Sequence, residues 1–206
     1  MSFAEYLNVF KKNWILIVTS MIVLGLAAFI LTNRQATTYQ SSTALEINKQ
    51  QDIKQAEVSY YQYDNYYNLQ AAASFSDNII GWMSAPSTVA EIFKNAGYDL
   101  PEGDLVSLGK VFTAKKNLST SSVVNITYAS TDPDKAEKLI KTAAQAMTGK
   151  VSNYNVTESG AKFSVIASDP VVVVVPKQTV INTIVAVVVG LLLSAGIAFA
   201  KDSLKK

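Results

Sequence analysis

The chain of 206 residues contains no histidine and no cysteine. That excludes a disulfide framework, a thiol nucleophile, a Cys/His zinc site and imidazole acid–base chemistry. Charge is also scarce. Asp, Glu, Lys and Arg make up 17% of the residues, against roughly 25% in an ordinary soluble protein. The formal net charge is only +2, too small for the basic footprint of a nucleic-acid binder. No glycine-rich phosphate loop of the G-x-x-x-x-G-K-[ST] type occurs, so a kinase domain on this polypeptide is not expected. Apolar residues reach 49% and mean hydropathy is +0.18. That excess is gathered at the two ends.

No charge falls between Lys12 and Arg34, or between Lys177 and Lys201. At 1.5 Å per residue, about 20 residues cross a bilayer core, and both stretches qualify. The alternatives are a cleaved signal peptide in front and a buried soluble helix behind. The first run is long for a signal and lacks an A-x-A site. The flanking charges set an orientation: Lys11 and Lys12 precede the first run, and Lys201, Lys205 and Lys206 follow the second. Both termini are therefore expected in the cytoplasm. The expected divisions are a tail over 1–13, a span over 14–32, an outer domain over 33–177, a span over 178–200 and a tail over 201–206. Side-chain charge is +1 in the first tail and +2 in the last, which leaves −1 for the middle.

Ala186, Gly190, Ser194 and Ala198 recur at every fourth position of the second run, a small-residue face for close helix packing. Gly25 offers a matching notch in the first. In the N-terminal tail, Ser2 and Glu5 form a candidate capping box, and Phe3, Tyr6, Leu7, Phe10 and Trp14 recur at helical spacing. An amphipathic helix on the membrane surface and a plain extension of the span both fit.

The middle reads as strand, long helix, helix, strand, strand, helix, strand. Thr43, Leu45 and Ile47 alternate in the first strand. Residues from about 52 to 84 read as helix. In "PSTVAEIFKNAG", Ser87 is the expected cap, Val89, Ile92 and Phe93 the buried side and Gly97 the stop. "LVSLGKVFTAKK" and "SSVVNITYAS" read as strands. The helix from Pro133 has Asp132 or Thr131 as its cap and Ala136, Leu139, Ile140, Ala143 and Met147 as its buried face. "AKFSVIASDPVVVVVPK" returns as a strand, expected near the first one. The mixture without a regular βαβ repeat predicts an α+β extracytoplasmic domain between two transmembrane helices.

No catalytic constellation stands out. Asp132 and Asp134 read as helix-start residues, and Lys115 and Lys116 as a solvated strand end. Three N-x-[ST] sequons, at Asn117, Asn125 and Asn155, read as chance. The unusual passage is "YYQYDNYYNL", in which Tyr60, Tyr63 and Tyr67 share a helical face. Such phenols suit a packing or oligomer interface, or stacking on a glycan.

Four passages together resemble one family: "EYLNVFKKNWILIV", "TTYQSSTALEI", "ITYASTDPDKAEKLIKTAAQAM" and "VIASDPVVVVVPKQTVINTIVAVVVGLLL". Their order is similar to that of the polysaccharide copolymerases, the Wzz-type chain-length determinants, a group that includes capsular polysaccharide biosynthesis proteins. The family has more prolines before the last span and a closer glycine pair within it; here Pro170, Pro176, Lys177, Gly190 and Gly196 stand. The resemblance implies a non-enzymatic, homo-oligomeric membrane scaffold. It would set the length or assembly of a capsule, exopolysaccharide or O-antigen type polymer through a membrane polymerase. It implies a bacterial plasma (inner) membrane setting, no cofactor, and Pro170, Pro176 and Lys177 as the proline-rich juxtamembrane segment. An adaptor for a separate cytoplasmic tyrosine kinase and a two-span sensor are the competing readings.

Overall fold

A computed structural model describes residues 9–50, 61–157 and 161–204. The chain divides into two compact units, one of Met1–Thr37 with Pro176–Lys206 and one of Thr38–Val175.

The first unit is a helical hairpin. Residues 9–12 form a helical turn, and Asn13 leaves helical geometry at φ −113 and ψ 19. Helix α1 then runs over Trp14–Arg34, and helix α6 over Thr179–Ser203. Both are long and apolar enough to cross a membrane, and only 17% of each apolar stretch is buried inside the protein. A core helix of a soluble protein would hide most of that surface. The helices outrun the expected spans: α1 continues to Arg34 and α6 to Ser203, because helical geometry persists through flanking polar residues until Gln35 turns extended at ψ 142. The hairpin is antiparallel, since Ser20 lies at Gly190 and Thr32 at Asn182.

The second unit is an antiparallel sheet covered on one face by helices. Its elements are β1 (Thr38–Lys49), α2 (Tyr61–Met83), α3 (Pro86–Ala96), α4 (Leu105–Leu108), β2 (Thr113–Lys116), β3 (Val123–Ser130), α5 (Pro133–Thr157), β4 (Phe163–Ala167) and β5 (Val171–Val175). The strand order is β2-β3-β1, with β4 and β5 sharing the far side of β1. Thus the first and last strands pair, Thr38 opposite Val175. The unit is mixed helix and sheet, compatible with an α+β domain.

Residue pattern explains the layering. Thr43, Leu45 and Ile47 of β1 are buried, as are Val124 and Ile126 of β3, while alternate residues face away. Period-two alternation sends one set under the helices and leaves the other on an open face. Helices α2 and α5 lie on the covered face, and α3 packs against α5. Ala136, Leu139, Ile140, Ala143 and Met147 of α5 all have zero exposure. Two aromatic groups fill the rest. Phe75 stacks on Phe163 with centroids 4.0 Å apart and meets Tyr154 and Trp82 edge-on. Phe93, Phe112 and Tyr128 form the other group.

Local chemistry sets the ends. Asp132 Oδ1 accepts from the backbone N–H groups of Asp134 and Lys135, so Asp132 caps α5. Gly97 ends α3 at φ 74, the left-handed region, with Tyr98 N–H donating to the Phe93 carbonyl. Two expectations are corrected. Ser87 is not the cap of α3: Pro86 takes the first helical position and Ala85 the cap, because proline brings a fitting φ and lacks a donor there anyway. "LVSLGKVFTAKK" is not one strand: Asp104 accepts from Ser107 N–H and closes the single turn α4, leaving only Thr113–Lys116 extended.

The last strand is broken in a definite way. Leu45 pairs with Ala167, but Ser42 pairs with Val171. Thr43 and Ala44 therefore face Ser168, Asp169 and Pro170, one residue too many, which makes a β-bulge. Thr43 Oγ1 donates to the Ser168 carbonyl at 2.6 Å, and Ser168 N–H donates to the Ala44 carbonyl. Pro170 sits where no ladder donor is required, as a strand proline must.

Candidate functional site

The juxtamembrane prolines and lysine have separate structural tasks. Pro170 occupies the bulge between β4 and β5. Pro176 follows the last residue of β5, and Lys177 Nζ donates to the Asn33 carbonyl at 2.8 Å. That carbonyl belongs to the final turn of α1, where a cation meets both an orphan acceptor and the negative helix end. Lys177 so ties the exit of one apolar helix to the approach of the other.

The small-residue face lies within the hairpin. Gly190, Ser194 and Ala198 are buried and Ala186 is half-buried. A Cβ on Gly190 would come within 3.2 Å of both Met21 Cα and the Ser20 carbonyl oxygen, so backbone meets backbone there. Gly25 faces Val187, where an added Cβ would approach Cγ2 at 2.9 Å. Polar contacts pin the register. Ser20 Oγ donates to the Gly190 carbonyl, and Asn182 Nδ2 donates to Thr32 Oγ1. At the other end of the hairpin, Lys12 pairs with Asp202 at 3.0 Å and Phe10 meets Phe199 edge-on. The expected capping pair Ser2 and Glu5, with Phe3, Tyr6 and Leu7, lies outside the described residues.

The tyrosine passage is only partly described. Tyr60 lies outside the described residues, as does the side chain of Tyr63. Tyr67 is 62% exposed and packs edge-on against Tyr66, itself 63% exposed. Further along α2, Phe75, Ile79 and Met83 are buried in the core.

A concave region forms on the open face of the sheet. A cavity of about 630 Å³ is bounded by Gln40 of β1, Thr113 and Lys115 of β2, Asn125 and Thr127 of β3, and the flanking Lys110 and Asn117. The register explains the grouping, since Thr113 lies opposite Thr127, and Lys115 opposite Asn125. Asn125 Nδ2 donates to Asn117 Oδ1 at 3.0 Å. Ala129 keeps one wall low. Tyr128 also borders the cavity, and its ring packs with Phe93 and Phe112 of the covered face.

The adjacent lysines divide between the two faces. Lys115 is exposed, but Lys116 is not a solvated strand end. Its side chain is 10% exposed, and Nζ meets Asp77 Oδ1 at 2.6 Å and the Ala73 carbonyl at 3.1 Å. One step along a strand reverses direction, so Lys116 points under α2. All three sequon asparagines are also hydrogen-bonded within the fold. Asn155 Nδ2 donates to the Phe163 carbonyl while its Oδ1 accepts from Phe163 N–H. That amide imitates a ladder partner at the start of β4, and Asn125 holds Asn117 as described.

The far edge is apolar. Val171, Val173 and Val174 are 61%, 52% and 57% exposed, with Ile166 beside them at 60%. The sequence reads this passage as one returning strand without assigning it an edge; the signal for an edge is its two prolines.

Two carboxylates serve the backbone. Asp132 caps α5, and Asp104 is held below the usual carboxylate range by the Ser107 backbone N–H and hydroxyl. Among the described residues no group of three or more His, Cys, Asp or Glu side chains comes together.

No family model matches the chain, and no curated protein matches it.

Proposed function

We propose that this chain is a membrane-anchored scaffold that acts without bond-making chemistry in the assembly or length control of a surface polysaccharide. The observation that carries the reading is the pairing of Thr38 with Val175. It closes the domain between its first and last strands, each a few residues from an apolar helix. A domain held at both extremities suits a part that presents geometry to a membrane partner. In this reading both tails are cytoplasmic, on the strength of Lys11, Lys12, Lys201, Lys205 and Lys206, and the middle projects from a bacterial plasma membrane. The valine edge of β5 supports self-association, because an exposed apolar edge strand is a template for pairing. A membrane polymerase is the proposed partner.

Deleting the gene and sizing surface polysaccharide on a gel tests this. The expected outcome is a shifted modal length with polymer still exported. Unchanged length and amount overturns the reading, and unchanged length with lost export favours an adaptor for a separate kinase. Pro176→Ala, at equal protein level, is expected to shift length in the same assay.

A further inference from the structure

We propose that the concave open face at the β2–β3 edge binds an acidic glycan segment. The face is built by register rather than by loops. Thr113, Lys115, Asn125 and Thr127 project to one side of two adjacent strands. Strands about 4.8 Å apart, with same-face residues about 7 Å apart along each strand, space these groups on the scale of a sugar ring. The cavity of about 630 Å³ falls within the range of small-ligand sites.

Charge selects the ligand. Lys110 and Lys115 border the cavity and no Asp or Glu does. Among the described residues neither lysine has an ion pair, whereas Lys12, Lys116 and Lys150 each meet a carboxylate. These cations stand on a middle segment whose side-chain charge is −1, so the patch departs from its own background. The Asn125–Asn117 bond leaves Asn117 Nδ2 to donate and Asn125 Oδ1 to accept. Threonine hydroxyls add partners of either kind.

A neutral sugar fits less well. Such sites use an aromatic face for stacking, and the ring of Tyr128 packs with Phe93 and Phe112 of the covered face. Recognition here rests on ammonium groups, amides and hydroxyls, which match a uronate- or phosphate-bearing chain. An anionic lipid headgroup shares this chemistry, and the test below separates the two. The choice of a glycan over other anions rests on the polysaccharide reading above.

The test uses the full chain in phosphatidylcholine nanodiscs, with tetragalacturonate as probe and maltotetraose as neutral control, read by calorimetry. Tetragalacturonate is expected to bind and to weaken with salt. The double variant Lys110→Gln/Lys115→Gln is expected to lose about tenfold in affinity at an unchanged melting temperature. Lys141→Gln, on the exposed side of α5, should leave affinity unchanged. Absent binding, equal binding of maltotetraose, or indifference to the double variant overturns the proposal. So does displacement of the probe when phosphatidylglycerol is included in the nanodisc, which assigns the face to lipid. Altered polymer length on gene deletion without probe binding removes this site alone. Binding with unaltered polymer removes the scaffold function and leaves the site.

Discussion

The hairpin and the sheet domain place the same kinds of side chain in opposite ways. In the hairpin, Gly25, Gly190, Ser194 and Ala198 are inside, while Ile22, Phe29, Val185 and Leu192 are outside. In the domain, Leu45, Ile47, Phe93, Leu139 and Met147 are inside, and the open strand face carries Thr, Asn, Gln and Lys. Water expels large apolar side chains and so fills a core with them. Hydrocarbon does not, and two helices then gain by close backbone approach and a few polar contacts. The difference teaches that burial ranks importance in the domain but not in the hairpin. There, what matters is whether a Cβ would fit.

The largest effect should come from a large side chain in the domain core. Phe75 stacks on Phe163 and touches Tyr154 and Trp82. Phe75→Ala is expected to cost about 3–5 kcal/mol of domain stability, from lost transfer energy plus a cavity. Leu192→Ala, at a side chain 63% exposed in α6, is expected to change it by less than about 0.5 kcal/mol. Denaturant unfolding of both variants in the same detergent checks the pair. Equal losses would erase the contrast between the units.

A smaller effect should separate two glycines of one helix. At Gly190 an added Cβ meets backbone atoms of α1 at 3.2 Å, whereas at Gly196 it meets nothing within 4 Å. Gly190→Val is therefore expected to cost about 1–3 kcal/mol of hairpin packing, and Gly196→Val close to nothing. The absence of native cysteine makes the measurement clean. With Thr32→Cys and Asn182→Cys introduced, oxidation should cross-link the parent hairpin and the Gly196 variant, and should falter in the Gly190 variant. Equal cross-linking in all three would sharpen the comparison differently, by showing that the helices tolerate a wider gap.

Much of this architecture is legible in the residues. The buried faces of β1, α3 and α5 follow periods of two and 3.6, and the described part of α2 falls within its expected helix. The apolar stretches are visible from charge spacing alone. What escapes is long-range or parity-dependent. The run Val171–Val175 has no alternation to read, so only its flanking prolines hint at the edge, and the extra residue at Pro170 could not be derived. Lys115 and Lys116 look alike in sequence; only the register against β3 sends one to the cavity and the other to Asp77. Asn155 resembles any sequon until Phe163 is brought to its amide. The cavity on the open face combines three strands, and periodicity within one strand cannot announce it.

The smallest expected effect lies at the boundary between the two faces of the sheet. Tyr128 packs its ring near Phe93 and Phe112, and burial raises its phenol above the ordinary value near 10. The Ser130 hydroxyl pulls the other way, and the neighbouring Tyr98 adds to the rise. The folded chain thus keeps this proton to higher pH than the unfolded chain does. Its contribution to stability is whole below about pH 10 and is lost as pH climbs through the raised folded value. Tyr128→Phe keeps the ring contacts and removes the titration. Between pH 9 and 11 the parent should therefore lose more stability than the variant, as measured by denaturation midpoints at each pH. Matching slopes would mean that the phenol is as well solvated in the fold as out of it, and that this part of the covered face is open to water.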